Sequence, residues 1–293
     1  MTATWNDLPG PVRAAVQRHT GPITEATPIT DGQNNDLTAV LHAQHGQPVF
    51  VKGVCGVSRQ MRWLRNEATT APLTRGLSPA VLFSEDVDGW LIVGFECVAG
   101  RAASLAPGSA DLPLVAHAVN RIGALPGPGL RSLRERWGAA DWWHKLTDEA
   151  PGTVRDWDID ELDRWAALFP ELADGDRLAH TDLHGDQILI TGNTARVIDW
   201  GFPGCGAAWV DAAFMVLRLI EAGHRVSDAE AWAHAHLTHC PDGERLTAFA
   251  AHIAGLWSYW AATGDSSGAH GRARLARTYA ARRLTLQPTP VGA

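Results

Sequence analysis

The chain has 293 residues, of which 45% are apolar and 19% are charged, so its composition excludes a disordered chain and allows one large domain or two small ones. The net charge of −7 argues against a general nucleic-acid binder, and no apolar run is long enough to predict a membrane span. The N-terminus has no apolar signal segment, and the four cysteines form no C-x-x-C pair. We therefore expect a cytoplasmic protein with free thiols that binds neither nucleic acid nor membranes.

The first part of the chain predicts a small antiparallel sheet with few helices. Short β-type runs, separated by turn signals such as Asp88-Gly89, predict strands at residues 23–29, 37–42, 48–54, 80–83 and 90–95. A short helix is predicted from residue 7 to residue 18, with Asn6 or Asp7 as its cap. A second helix is predicted over residues 58–70.

After residue 100 helical periodicity dominates. Helices are predicted at residues 112–125, 130–137, 159–168, 210–222, 228–237, 245–262 and 271–286. A hairpin interrupts them, with strands at 187–190 and 195–198 around Thr191-Gly192-Asn193. The sequence thus predicts an α+β fold with two lobes: a small antiparallel β-sheet lobe of residues 1–96 and a larger, mainly helical lobe of residues 97–293.

Lysine is rare in this chain. The 25 basic residues comprise 23 arginines and two lysines, Lys52 and Lys145. Coding bias explains an excess of arginine, but a retained lysine invites a chemical explanation, because an ammonium and a guanidinium differ in shape and hydrogen bonding.

The strongest chemical signal is the segment that begins at His180. Asp182 lies in a polar loop, and the predicted hairpin leads from there to Asp199. A tight hairpin can bring two such carboxylates to one edge of a site. Together with an amide, they suit a Mg²⁺ ion held by oxygen ligands, and one acid remains to orient a hydroxyl.

His180-Thr181-Asp182, Gln187 and the later Ile198-Asp199-Trp200 resemble the catalytic elements of the aminoglycoside phosphotransferase family, small-molecule kinases with the protein-kinase-like fold. The resemblance implies that Asp182 orients or deprotonates the acceptor hydroxyl. It implies that Gln187 and Asp199 hold Mg²⁺ at the phosphates of ATP (or GTP). His180 and Asp211 would be structural, with Asp211 bracing the catalytic loop.

The resemblance extends to the N-terminal lobe. Lys52, at the end of a predicted strand, matches the lysine that contacts the α- and β-phosphates, and Glu67 matches the acid that pairs with it. Gly32 lies in a segment that matches the nucleotide loop. Glu96 and Val98 match the hinge, whose backbone would bond the adenine edge.

The chain departs from the family pattern H-G-D-x-x-x-x-N at two positions. Gln187 replaces the Asn, so its amide oxygen lies one methylene further out, and Thr181 replaces the Gly, so the loop must tolerate a β-branched residue. Each residue alone has a simpler interpretation: a turn aspartate, a solvated lysine, or a glutamate paired with a helical arginine. The ordered set over residues 31–211 favours a kinase instead, and a non-catalytic pseudokinase is the alternative from another class.

Two features bear on the acceptor. Between Asp141 and Asp176 there are 11 acidic and three basic residues, a block that is either a solvated helical surface or a surface for a cationic partner. The chain also has 13 tryptophans. We expect most of them to pack between helices, with Trp142, Trp143 and Trp260 as candidates to line an acceptor site and Asp186 as a further candidate.

The resulting hypothesis is an ATP- and Mg²⁺-dependent phosphotransferase that acts on a hydroxyl of a small molecule. An antibiotic such as an aminoglycoside is the favoured acceptor, with resistance or self-resistance as the outcome. A metabolic kinase for choline, a sugar or an amino-alcohol would use the same motifs and is the first alternative.

Overall fold

A computed structural model describes residues 3–30, 35–139, 141–264 and 268–286. The chain forms two compact units, one of residues 1–103 with 186–203 and one of residues 104–185 with 204–293. The lobe boundary predicted at residues 96/97 stays a prediction. The compact units group the hairpin segment with the N-terminal residues.

The predicted α+β class is confirmed. In chain order the helices are α1 Gly10–Thr20, α2 Arg59–Thr70, α3 Leu112–Ala124, α4 Leu133–Arg136, α5 Trp142–Glu149, α6 Pro151–Val154, α7 Ile159–Leu172, α8 Val210–Glu221, α9 Val226–His236, α10 Gly243–Thr263 and α11 Ala269–Leu286. The strands are β1 Ile23–Pro28, β2 Leu37–Ala43, β3 Val49–Cys55, β4 Val81–Val87, β5 Trp90–Glu96, β6 Arg101–Ala102, β7 Arg177–Ala179, β8 Ile188–Thr191, β9 Thr194–Val197 and β10 Gly204–Gly206.

The first unit is built on a five-stranded antiparallel sheet in the order β1-β2-β3-β5-β4. β4 runs four residues further than predicted, because Asp88 and Gly89 both adopt positive φ (53° and 76°) and close a tight hairpin to β5. One sheet face packs on α1 through Val12 and Val16. The other packs on α2, where Leu64 joins Val54 and neighbouring strand residues.

The first helix begins later than predicted. Asp7 belongs to a preceding turn of 3₁₀-helix, Trp5–Asp7, and its carboxylate accepts the backbone N–H of Thr4 at 2.8 Å. The cap therefore serves this turn, and α1 begins at Gly10 with Pro at its second position.

The predicted hairpin is present in the first unit. β8 and β9 pair antiparallel around Gly192, which has φ 56°, and β6 adds a third strand along β8. The backbone N–H of Ile198 donates to the carbonyl of Gln187 at 2.9 Å and closes the open end of the hairpin. Gln187 and Asp199 therefore lie at the same end.

The second unit is a helical body around α8 and α10, in which ten of the 12 residues of α8 and 14 of the 21 residues of α10 are buried. Two helices in it were not predicted, α5 and α6, because they are only eight and four residues long and Pro151 lies just after the end of α5. The predicted end of α7 at Leu168 was also wrong. The helix continues to Leu172 with Pro170 inside its last turn, where a missing N–H removes one hydrogen bond without ending the helix.

A short antiparallel pair, β7 with β10, lies in the second unit. It leads directly into the loop that begins at His180. Within the described residues, no helix combines the length and apolarity needed to cross a membrane.

Candidate active site

The first unit contains a buried ion-pair cluster. Lys52 is 8% exposed on the central strand β3, and its Nζ donates to Oε2 of Glu67 at 2.8 Å and to Oδ1 of Asp199. Strand alternation places Lys52 on the same sheet face as Val54, which packs on α2, the helix that bears Glu67. The sheet, α2 and the end of the hairpin thus meet at one ammonium group.

The electrostatics of the cluster keep Lys52 charged. Burial alone would lower the pKa of Lys52, but the carboxylates of Glu67 and Asp199 outweigh it and raise the pKa above its ordinary value. A buried ammonium without such partners would lose its proton instead. Lys52 is therefore a fixed cation in this unit.

Asp199 is held in an unusual backbone conformation. Its φ is 63°, in the left-handed region that residues other than glycine rarely adopt. The residues that follow are anchored: Trp200 Nε1 donates to Ser78 Oγ at 2.8 Å, and Asn66 Nδ2 donates to the carbonyl of Gly201 at 2.9 Å. Because Asn66 lies on α2, one helix supports both Asp199 and its lysine partner.

The donor chemistry at the end of the hairpin fits a Mg²⁺ ion. Gln187 supplies an amide oxygen and Asp199 a carboxylate, and oxygen atoms are the ligands that Mg²⁺ prefers. The Gln187 residue is 7% exposed, whereas 42% of the Asp199 side chain is exposed. The part of the chain that the structure describes holds no group of three or more His, Cys, Asp and Glu side chains arranged for a metal.

The second unit holds the loop with Asp182. The backbone N–H groups of His180 and Thr181 donate to the two carboxylate oxygens of Asp211, at 2.7 and 2.9 Å. Asp211 lies in the first turn of α8 and is 3% exposed. Burial raises its pKa, opposed by His180 and by the two backbone hydrogen bonds. This is the geometry expected of the bracing residue, and His180 is itself fully buried.

Asp182 follows at the surface of the same unit, with 34% of its side chain exposed. Its Oδ1 lies 3.4 Å from Nη2 of Arg218. The exposure leaves the carboxylate accessible to a second molecule. The role of Asp182 with an acceptor hydroxyl stays a prediction.

The residues predicted for the nucleotide base lie at the end of β5. Glu96 is the last strand residue, and its carboxylate accepts the N–H of Ala80 at 3.2 Å. Val98 follows in residues 97–100, which are outside helices and strands, so their backbone groups do not belong to the sheet ladder. Gly32 and the other residues at 31–34 lie outside the described part of the chain.

The predicted acceptor residues differ in exposure. Trp143 is fully buried and donates from Nε1 to the carbonyl of Ala251, whereas Trp260 is 51% exposed. Trp142 lies between these extremes, with its ring centroid 5.5 Å from that of Tyr259. Asp186 is exposed in a short 3₁₀ turn of the first unit.

Two residues of the second unit were missed from the sequence. Arg218 contacts Asp182, and Arg136 donates from Nη1 to Oγ1 of Thr181 at 3.2 Å. The sequence could have indicated Arg218, because it is a lone cation within the apolar stretch of α8. Nothing in the sequence distinguishes Arg136 from Arg131 and Arg134, which lie close to it.

The model of the phosphotransferase enzyme family, APH, matches residues 25–249. The chain belongs to this family. Membership confirms the resemblance seen in the sequence and the predicted enzyme class, a phosphotransferase of the small-molecule kinase type. A search of curated protein sequences gave no match.

Three solved structures illustrate the fold. A thermostable mutant of the aminoglycoside phosphotransferase APH(4)-Ia, in complex with ADP and hygromycin B, is 12% identical, with a TM-score of 0.68 over 95% of this chain and 99% of that one. The choline kinase LicA from Streptococcus pneumoniae is 13% identical, with a TM-score of 0.64 over 92% and 98%. An aminoglycoside phosphotransferase from Alicyclobacillus acidocaldarius is 14% identical, with a TM-score of 0.61 over 96% of both chains. These similarities confirm the predicted protein-kinase-like fold.

Proposed function

We propose that this protein is an ATP- and Mg²⁺-dependent kinase that phosphorylates a hydroxyl group of a small molecule. The observation that supports this most is the Lys52 ammonium, buried between Glu67 and Asp199. Three charged groups brought together inside a protein add little net stability, because their desolvation offsets their attraction. A cation fixed in this way is suited to binding phosphate oxygens.

The residues of the first unit would bind the nucleotide. Lys52 contacts the α- and β-phosphates, and Glu67 keeps its ammonium in place. The oxygens of Asp199 and Gln187 would hold Mg²⁺, which when bound neutralises charge on the phosphates. Backbone groups at Glu96 and Val98 would bond the adenine edge.

The residues of the second unit would act on the acceptor. Asp182 accepts a hydrogen bond from the acceptor hydroxyl and orients its oxygen toward the γ-phosphorus. As the new oxygen–phosphorus bond forms, the bond to the β,γ-bridging oxygen breaks and ADP leaves. The hydroxyl proton passes to the Asp182 carboxylate.

For the acceptor we infer an antibiotic such as an aminoglycoside. The solved relative with hygromycin B and the acidic block of residues 141–176 support this assignment. Some carboxylates of this block already have partners within the chain, so fewer of them could bind a cationic acceptor than the sequence suggests. Asp163 contacts His144, Glu171 pairs with Arg134, and Asp158 caps α7.

A choline-like amino-alcohol is the second candidate acceptor. It is favoured by the aromatic pair Trp142 and Tyr259 and by the similarity to a choline kinase structure. The Trp142 ring already accepts a cation of this chain, since Nζ of Lys145 lies 4.7 Å from its centroid. A quaternary ammonium would use the same ring face.

The test is a direct assay of transfer. Purified protein is incubated with Mg-ATP and, separately, hygromycin B, other aminoglycosides, choline and simple sugars, and products are analysed for a mass gain of one phosphate. We expect one acceptor class to be phosphorylated by the unmodified protein and by Arg134→Met, but not by Asp182→Asn. ATP binding in a thermal-shift assay without turnover on any acceptor would favour a pseudokinase. The absence of both would refute the proposal.

A further inference from the structure

Thr181 is in a strained conformation. Its φ is 65°, and a β-branched residue in this region is a rare outlier. The family pattern has glycine at this position, which adopts such angles without strain. Asp211 holds the backbone N–H of Thr181, and two further groups contact the side chains of the Thr181–Asp182 dipeptide.

Arg136 contacts this dipeptide from α4. Its Nη1 donates to the Thr181 hydroxyl at 3.2 Å, a contact that a glycine at this position could not make. Burial lowers the pKa of Arg136 to about 10, helped by the neighbouring charge of Arg131. The group remains protonated at neutral pH and keeps its donors.

Arg218 contacts the dipeptide from α8. The residue is 4% exposed, its Nη2 lies 3.4 Å from Oδ1 of Asp182, and its Nη1 donates to Glu221 at 2.9 Å. The guanidinium carbon lies 5.4 Å from the ring centroid of Trp257. Its Nε is buried and has no hydrogen-bond partner among the described residues. A buried guanidinium with an unsatisfied donor is costly, so a purely structural reason for it is weak.

We propose that Arg136 and Arg218 form an arginine clamp that holds Thr181 and Asp182 in the geometry needed for phosphoryl transfer. Both are positioning residues. Arg136 acts through the Thr181 hydroxyl and offsets strain that a glycine would not have, and Arg218 acts through the Asp182 carboxylate. The inference rests on the proposed kinase function and adds to it the two groups that orient the acceptor-binding aspartate.

The first experiment measures whether Arg136 acts through Thr181. Arg136→Met is made in the unmodified protein and in the Thr181→Gly background, and ADP formation from Mg-ATP is followed with the best acceptor of the panel, or with water if there is none. We expect kcat to fall roughly tenfold with Thr181 present and less than about threefold in the Thr181→Gly background. Equal losses in the two backgrounds would overturn the role of Thr181.

A matched control lies on the same short helix. Arg134 is exposed and pairs with Glu171 and Asp174 instead of the loop, so Arg134→Met should leave kcat unchanged. If Arg134→Met lowers kcat as much as Arg136→Met does, the effect comes from α4 in general and the clamp is refuted.

The second experiment separates positioning by Arg218 from folding. We expect Arg218→Met to lower kcat at least about tenfold while KM for ATP stays within about twofold, and Arg218→Lys to recover part of kcat. Circular dichroism gives the folded fraction of each variant, and kcat is expressed per folded molecule. A loss that disappears after this correction, or a parallel change of KM for ATP, would overturn the assignment.

A third measurement does not depend on activity. Hydrogen exchange of peptides covering Thr181 should become faster in Arg136→Met and Arg218→Met but not in Arg134→Met. If no acceptor is phosphorylated and ATP is not hydrolysed, the proposed function fails while exchange still decides the clamp. Unchanged exchange in both clamp variants would refute the clamp even in an active kinase.

Discussion

Nζ of Lys52 lies 2.8 Å from Oε2 of Glu67, and the two side chains are 10% and 11% exposed. An ion pair this deeply buried is held on both sides by regular structure, a central strand and a helix packed on it. The contribution of this ion pair to protein stability and the role of Lys52 in the reaction can therefore be tested separately.

Lys52→Met should destabilise the protein, because Glu67 and Asp199 would lose their buried cation. We expect a loss of about 3 kcal/mol in the free energy of unfolding, measured by urea denaturation. The double variant Lys52→Met, Glu67→Gln should recover part of this loss, since it removes one uncompensated charge. A double variant that is less stable than the single one would contradict the pairing.

Lys52→Arg should keep the fold and impair the reaction. The guanidinium retains the charge, but its broad planar fork does not fit the site of a compact ammonium. We expect a higher KM for ATP or a kcat lower by about tenfold or more in steady-state assays. Lys145→Arg is the control for nucleotide binding, because that side chain is 39% exposed and pairs with Asp141 at the start of α5. Equal kinetics for the two variants would argue against a phosphate contact.

Asp182→Asn should abolish transfer with little effect on stability. The side chain is one-third exposed, an asparagine keeps an oxygen that can accept from Arg218, and the backbone of His180 and Thr181 remains braced by Asp211. Losing a group that orients the acceptor and takes its proton typically costs about 100- to 10,000-fold in rate. Full activity in the variant, with an unfolding midpoint equal to that of the unmodified protein, would show that Asp182 takes no part.

Asp211→Ala should destabilise the second unit. It leaves two backbone N–H groups, one buried and one part-buried, without their acceptor, at a cost of about 3 kcal/mol. Asp211→Asn keeps one acceptor oxygen and should lose less. Chemical denaturation gives both values. Identical stability of the two variants would mean that one of the hydrogen bonds contributes nothing.

His252 should make the protein less stable in acid. It is fully buried beside Phe169, with ring centroids 4.8 Å apart, and burial lowers its pKa from 6.5 to about 3. The unfolded chain takes up a proton below pH 6.5 while the folded chain does not, so unfolding is favoured as pH falls from about 6.5 to about 3. This group alone gives a slope of up to about 1.4 kcal/mol per pH unit.

Removing the imidazole should flatten that dependence. Urea midpoints at pH 7 and pH 4.5 should differ less in His252→Gln than in the unmodified protein, whatever the stability at pH 7. His45→Gln, in an exposed turn, is the matched control and should leave the pH dependence unchanged. A slope unaffected by His252→Gln would show that other groups control acid stability.

Much of the first unit could be predicted from the sequence, because its information is local. Alternation and turn dipeptides indicate each strand of the sheet, and Asp88-Gly89 closes a hairpin as such pairs do. Helices α5 and α6 are too short, at eight and four residues, to show a sustained period. Their existence depends on packing, for example the contact of the buried Trp143 with the Ala251 carbonyl on α10.

The candidate site divides in the same way. Lys52, Glu67 and Asp199 were expected as one set through the family resemblance, and the structure brings their side chains together. The contacts of Arg136 and Arg218 join residues 45 and 36 positions apart. No motif encodes them, because they arise where separate helices pack against one loop.

The placement of residues 186–203 has a practical consequence for dissecting the molecule. A fragment that stops at residue 103 would lack the strand that pairs with Arg101–Ala102 and the carboxylate of Asp199 that contacts Lys52. A self-sufficient version of the first unit would need the hairpin grafted onto it through a new linker. Simple truncation at residue 103 should leave the five-stranded sheet complete but β6 without its partner strand and Lys52 without one of its two counter-ions.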